Sequence, residues 1–342
     1  MNVKSNIFDD LFIFEMANNH NGDVKLAIKI IESIASLSEK HQINAAVKLQ
    51  YRDMATFVHP EYRERKDIRQ IPRFFDTDLP KEDYKKIIDS IKSKKLLSIV
   101  TPFDEKSVSL CEEHGVDAIK IASCGCDDWP LLETVAAIKK PVVSSFGAHI
   151  LSQIDEVYDF WSNKGIPFAM LHCIAAYPVK DLSFQLDFID TMIQRYPGAA
   201  IGYSGHEDPN NHLISQIAAA KGARIFERHV GIATDTVSLN SYSLDEAEME
   251  KWVLSIKYVR SVCALSVEEK TVSKAEQETM LALKRGVYVK KPFKKGETIT
   301  LDDVFYAIPC MERYQLNSSE FRKSIVASKD YGINDALTEK LH

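Results

Sequence analysis

Two stretches of the 342-residue chain set imidazoles beside groups that handle protons and anions: "YSGHE" at 203–207 and "FERHV" at 226–230. Ser204 and His206 close one apolar run, and Glu227 and His229 close the next. At the ends of consecutive parallel strands the two histidines would be neighbours about 4.8 Å apart. They could then share one divalent ion and leave it open positions for water and substrate. Lys48 and Lys120 lie inside other apolar runs, and Ser123 and Ser145 end runs of the same kind. Lysine and glutamate are rarely buried unless paired, so Lys48, Lys120, Glu15 and Glu227 on four different runs point to one shared polar cavity. Point charges with hydroxyl donors suit a phosphate. Plainer roles stay open: either lysine could close a structural ion pair, His172 beside Cys173 could be a core histidine, and His20 in the "NNHNG" turn could cap its loop.

The elements that must carry these residues are short apolar runs at 11–17, 45–50, 96–103, 118–123, 141–146, 167–173, 199–205 and 223–230. Stretches of helical periodicity separate them, such as "DVKLAIKIIESIASLSEK". Alternation of strand and helix implies a parallel sheet, and eight such units, the last ending in a helix over 244–264, favour a closed (β/α)8 TIM barrel. In that fold the active site forms at the C-terminal strand ends, where Gln50, Thr101, Phe103 and Tyr177 also fall. No GxGxxG follows the first strand, which argues against a dinucleotide site. The charged, proline-containing segment 53–80 reads as a long top-face loop, either substrate-binding or a surface insertion. The assignment is a barrel over 1–270, a linker over 271–285 and a small β-rich domain over 286–342, with a turn at Lys294–Glu297.

Composition is that of an ordinary globular protein, 45% apolar and 27% charged. A net charge of −6 gives no reason to expect nucleic acid. No apolar run reaches the ~18 residues of a membrane span, and the polar N-terminus is unlike a signal peptide, so a cytoplasmic location is expected. The six cysteines are scattered and read as free, mostly buried thiols.

Taken in order, "FEMANNHNGD", "AAVKLQ", "AIKIAS", "LHCIAAYP", "IGYSGHE" and "FERHV" resemble the strand-end motifs of the sialic acid synthases, and "RGVYVKKPFKKGETITLDDV" resembles their antifreeze-like (SAF) domain. The resemblance spans nearly the whole chain. It implies a homodimeric enzyme that condenses phosphoenolpyruvate with an aldose, using manganese or magnesium, with the small domain of one chain over the partner's barrel. It implies His206 and His229 as metal ligands. Lys48, Lys120, Ser123, Ser145 and Ser204 would hold phosphoenolpyruvate, Glu15 and Glu227 would stand near the reacting water and sugar, and Gln50, Thr101, Phe103 and Tyr177 would shape the sugar pocket. Three departures fall on the acceptor side. Ala175 stands where a polar residue is usual, Ile308-Pro309 replaces an arginine for which Arg313 is the nearest substitute, and Asn240 and Ser241 replace an acidic contact. N-acetylmannosamine is therefore expected to be a poor acceptor. The alternatives are a lysine Schiff-base aldolase and an inactive sugar-binding descendant.

Overall fold

In a computed structural model the described residues are 7–179, 181–235, 238–263 and 270–338. The chain divides into two compact units, 1–265 and 266–342. In the first, strands β1 (Leu11–Glu15), β2 (Asn44–Tyr51), β3 (Leu97–Pro102), β4 (Ala118–Ile121), β5 (Val142–Ser145), β6 (Phe168–Cys173), β7 (Ala200–Gly205) and β8 (Ile225–His229) close a parallel barrel in sequence order. This is the expected TIM-barrel fold. Helices α1 (Val24–His41), α2 (Gln70–Asp76), α3 (Lys81–Ser93), α4 (Glu105–His114), α5 (Trp129–Ala137), α6 (Leu151–Lys164), α7 (Phe188–Arg195), α8 (Leu213–Ala220) and α9 (Glu246–Cys263) lie between and after the strands.

The helices form where apolar residues recur every three or four positions. In α1 these are Leu26, Ala27, Ile30, Ile31, Ile34 and Leu37, all buried, and Asp23 caps the start by accepting from the Lys25 amide at 2.7 Å. That stripe belongs to the large core between strands and helices, which also holds Trp161 and Trp252. A second, smaller core fills the barrel itself with Leu11, Ile13, Ala46, Ile99, Ala118, Val143, Ala169, Leu171 and Ile225. Side chains alternate faces along a strand, so the inward rows can be followed upward: Ile13 to Glu15, Ala46 to Lys48 to Gln50, Ile99 to Thr101, Ala118 to Lys120, Val143 to Ser145, Ile225 to Glu227. Each row turns from apolar to polar near the C-terminal end of its strand. The barrel thus has an oily floor and a polar upper layer.

Segment 53–80, expected as a long loop, contains a short 3-10 turn at Pro60–Tyr62 and the helix α2. In the second unit, the stretch expected as linker carries helix α10 (Lys274–Leu283), capped by Ser273 and without buried residues. Strands β9 (Gly286–Val289), β10 (Thr298–Ile299), β11 (Val304–Ala307) and β12 (Ile325–Val326) follow. The turn at Gly296 is present with φ +93, but the runs it joins do not pair: β9 pairs with β11 and β10 with β12. A separate small core of Val287, Val289, Phe293, Ile299, Val304, Phe321, Ala327, Tyr331 and Leu337 holds this unit. No helix among the described residues is long and apolar enough to cross a membrane. The six cysteines are free, four of them buried.

Candidate active site

The polar layer opens into a cavity of about 990 Å³ at the C-terminal ends of the barrel strands. At its floor Lys48 Nζ lies 2.8 Å from Glu15 Oε2 and 2.9 Å from Glu227 Oε1. All three groups are buried. Register explains the meeting, because Glu15 sits beside Lys48 across β1–β2 and Ser204 beside Glu227 across β7–β8. Ser204 Oγ donates to the same Glu227 oxygen at 3.3 Å, whereas Glu227 Oε2 accepts no hydrogen bond from the described residues and has Lys120 Nζ at 3.9 Å. Lys120 in turn donates to Ser145 Oγ at 2.6 Å. Burial opposes ionisation of Glu227, but Lys120 and Lys48 outweigh it and hold the carboxyl below its ordinary value. Burial pulls Lys48 down to about 8, against the attraction of Glu227, so it remains a cation at neutral pH.

The two imidazoles stand side by side with ring centroids 5.4 Å apart. His206 Nδ1 lies 3.3 Å from the Ile174 carbonyl, which can only accept, so Nδ1 carries the proton and Nε2 presents its lone pair. His229 Nδ1 is buried with no partner among the described residues. Burial pushes His206 down to about 4 and His229 well below its usual value, so both are neutral, the form a metal requires. Two adjacent neutral imidazoles are donors that suit a divalent cation. Among the described residues no group of three or more His, Cys, Asp or Glu is placed to hold an ion, so His206 and His229 would be its two protein ligands, with the remaining positions open. Tyr177 packs on His206 at 4.2 Å, and Tyr242 meets His229 edge-on at 5.0 Å.

The cavity wall brings together Lys48, Gln50, Thr101, Phe103, Lys120, Ser123, Ser145, Tyr177, Ser204, His206, Glu227, His229 and Asn240. Glu15 is not on that wall. It lies beneath, fully buried, bonded to Lys48 and to Gln50 Nε2 at 2.7 Å. Ser123 Oγ accepts from the Gly147 amide at 2.8 Å, and a Cβ at Gly147 would come within 2.8 Å of the Ala175 Cβ, so the close approach needs glycine. His172 resolves as a core histidine, its Nε2–H donating to the Phe184 carbonyl at 2.7 Å. His20 Nδ1 accepts from the Gly22 amide at 3.1 Å and fixes its turn. Arg313 belongs to the second unit, where its guanidinium donates to Tyr314 Oη at 2.8 Å.

Sequence reasoning missed Arg52, Arg69, Arg73 and Tyr242, all of which line the cavity. Arg52 had a usable signal, since it continues the inward row of Lys48 and Gln50 at a period of two. Arg69 and Arg73 carried one only if 70–76 had been read as helix, where a spacing of four puts them on one face. Arg228, by contrast, stands inside "FERHV" but is not among the residues that line the cavity. It points the other way, bonded through Nη1 to Glu207 Oε1 at 2.7 Å and through Nη2 to the Glu207 carbonyl at 2.9 Å in the helix-side core.

Known proteins share the fold and much of the length of this chain. The solved structure assigned as spore coat polysaccharide biosynthesis protein E from Chromobacterium violaceum superposes with a TM-score of 0.90 at 37% identity, covering 96% of this chain and 98% of that one. The sialic acid synthetase of Leptospira borgpetersenii, solved with citrate, gives a TM-score of 0.69 at 27% identity over 79% of this chain and 89% of that one. The N,N'-diacetyllegionaminic acid synthase of Campylobacter jejuni is 26% identical over 96% of this chain and 99% of its own length. The NeuB family matches residues 38–267, two thirds of the chain and the greater part of the barrel. The protein belongs to the NeuB family.

Proposed function

We propose that the cavity condenses phosphoenolpyruvate with an aldose, giving a 3-deoxy-2-ulosonic acid and inorganic phosphate. The observation that carries this is Glu227, a buried carboxylate bonded to Lys48, faced by Lys120 and left with one oxygen free at the cavity wall. Lys48 and Lys120 with Ser123, Ser145 and Ser204 hold the carboxylate and phosphate of phosphoenolpyruvate, whose charges they neutralise away from bulk water. C3 forms a bond to the aldehyde carbon as the C2–C3 and carbonyl double bonds open, and water adds to C2. Of that water's two protons one ends on the aldehyde oxygen and the other leaves on phosphate, as the C2–O bond to phosphate breaks and the C2 ketone forms. Glu227 Oε2 accepts a proton from that water, and Glu15, 2.8 Å from Lys48 Nζ, holds the lysine in place. His206 and His229 would hold manganese or magnesium, which supplies Lewis acidity toward an aldehyde oxygen when bound. Gln50, Thr101, Phe103, Tyr177 and Asn240 face the sugar.

In this reading the second unit is an antifreeze-like domain and the protein acts as a homodimer. Both parts rest on the resemblance of residues 285–304. Ending the chain after residue 275 should weaken acceptor use and leave a folded barrel.

The test is phosphate release from phosphoenolpyruvate labelled with ¹⁸O at the bridging position, with and without aldose. Aldose-dependent release of labelled phosphate together with a 2-keto acid is expected. Label retained in the organic product would remove the role given to water at C2. A pyruvate adduct trapped on lysine by borohydride would instead favour the Schiff-base aldolase. Lys48, held by two carboxylates, is poorly placed to act as that nucleophile.

A further inference from the structure

The lower cavity is balanced in charge, with Lys48 and Lys120 against Glu15 and Glu227. The wall above it is not. Lys48, Gln50 and Arg52 form one inward row, and each step of two residues along a strand rises roughly 7 Å. A polar chain runs down this row from Arg52 Nη2 to Gln50 Oε1 at 2.7 Å, then from Gln50 Nε2 to Glu15 and from Glu15 to Lys48. Arg52 is clamped between Phe74 and Phe103, its guanidinium carbon 4.0 Å from each ring centroid. Its Nε is buried without a hydrogen bond, and no carboxylate among the described residues pairs with it directly, although Asp104 and Asp78 act on it from farther away. A desolvated guanidinium without a contacting counter-ion is costly. Here it is held rigid, its plane fixed by two rings, at the edge of an open cavity.

Arg69 and Arg73 line the same wall from α2, and Arg73 is tied to the β1 end by a 2.9 Å bond to the Asn18 carbonyl. Neither forms an ion pair among the described residues, and Asp76 is the one carboxylate that this wall adds. On the other side the wall presents Asn240 and Ser241, both neutral.

We infer that the acceptor is an aldose carrying an anionic group, phosphate or carboxylate, at the end remote from its aldehyde, and that Arg52 with Arg69 and Arg73 binds that group. This rests on the synthase reading above. With the aldehyde at the level of Gln50, one further step of about 7 Å along the row is the reach of an extended six-carbon chain. The rigid fork of Arg52 suits the planar or tetrahedral oxygens of such a group.

Calorimetric binding of mannose, mannose 6-phosphate and mannuronate to the full chain tests the idea apart from turnover. One anionic sugar should bind about tenfold to a hundredfold more tightly than mannose, the range for a charge-assisted hydrogen bond. That preference should collapse in Arg52→Gln and in the double variant Arg69→Gln/Arg73→Gln, whose positions are exposed and tolerate change if Arg52→Gln does not fold. Phosphoenolpyruvate affinity should hold in the same variants. A tighter 6-phosphate identifies phosphate as the anion, and a tighter mannuronate identifies carboxylate. Equal binding of all three sugars, or a preference that survives both variants, overturns the inference. Failure of phosphoenolpyruvate to bind the unmodified protein, read in its own titration, would instead remove the synthase reading on which the inference stands.

Discussion

Strands β7 and β8 carry two buried ionic networks back to back. On the inner face, Glu227 meets Lys48 and Lys120. On the outer face, one residue along, Arg228 meets Glu207. The outer network is almost closed: Glu207 accepts from Arg228, from Tyr203 Oη at 3.0 Å and from Ser215 Oγ at 3.2 Å, and Ser215 accepts from Trp252 Nε1 at 3.1 Å. Among the described residues only Arg228 Nε is left over. Among the described residues the inner network leaves Glu227 Oε2, His229 Nδ1 and Thr101 Oγ1 without hydrogen bonds at the cavity wall, while Glu15 Oε2 beneath it has only its ion pair with Lys48. Both networks cost desolvation. The outer one recovers it inside the fold and fastens β7 to β8 beside the histidines, whereas the inner one holds bonding capacity open for a ligand.

The largest effect should come from the inner face. Glu227→Gln keeps shape but removes the base, and turnover should fall about 10²- to 10⁴-fold, measured as phosphate release, while the denaturant midpoint should move less than in an outer-face variant because Glu15 still pairs with Lys48. A midpoint loss as large as that of an outer-face variant would erase the distinction between the networks. Glu207→Ala should do the reverse. Stranding Arg228 without its partner should cost ~3–5 kcal/mol of stability, read from chemical denaturation. Its effect on rate should come through the spacing of His206 and His229, so added metal should recover part of it.

How far the sequence reveals this contrast follows from alternation. The period of two and the polar residues at strand ends expose the inner row, because Lys48, Lys120, Glu227 and the serines interrupt runs that otherwise read as core. The same alternation hides the outer pair. Arg228 sits between two residues with functional signatures, and only the strand geometry turns it outward toward a glutamate twenty-one positions away. Depth is hidden too. Glu15 and Glu227 look equivalent as lone glutamates in apolar strands, yet one is sealed beneath Lys48 and the other reaches the cavity. Arg69 and Arg73 needed a fold for segment 53–80, and a short charged helix with few apolar positions gives little periodicity to read.

His20 tests the closed class by titration. Burial and the nearby charge of Arg73 push it from 6.5 down to about 4, and its Nδ1 must stay unprotonated to accept from Gly22. The unfolded chain therefore binds the extra proton first. Stability should be unaffected above pH 6.5, fall as pH drops, and level off below about 4, with a total loss of roughly 3 kcal/mol. His20→Asn should flatten that part of the stability–pH curve. An unchanged slope would mean that the proton is taken up elsewhere.

The smallest effect makes the sharpest comparison, since it sets one hydroxyl against another. Thr101 Oγ1 is buried, bonded to nothing among the described residues and at the cavity wall. Ser215 Oγ is also buried but joins Trp252 to Glu207. Thr101→Val replaces the hydroxyl by a methyl of similar size, so no partner is stranded and the stability change should stay within about 1 kcal/mol. Ser215→Ala leaves an indole N–H and a carboxylate oxygen each short of a bond and should cost about 1–3 kcal/mol. Binding should reverse the order, with sugar affinity falling up to about tenfold in Thr101→Val and holding in Ser215→Ala. If Thr101→Val destabilises the fold and leaves sugar binding alone, an unbonded hydroxyl at this wall is a packing feature, and the separation of open from closed networks would have to be drawn at Glu227 and His229 alone.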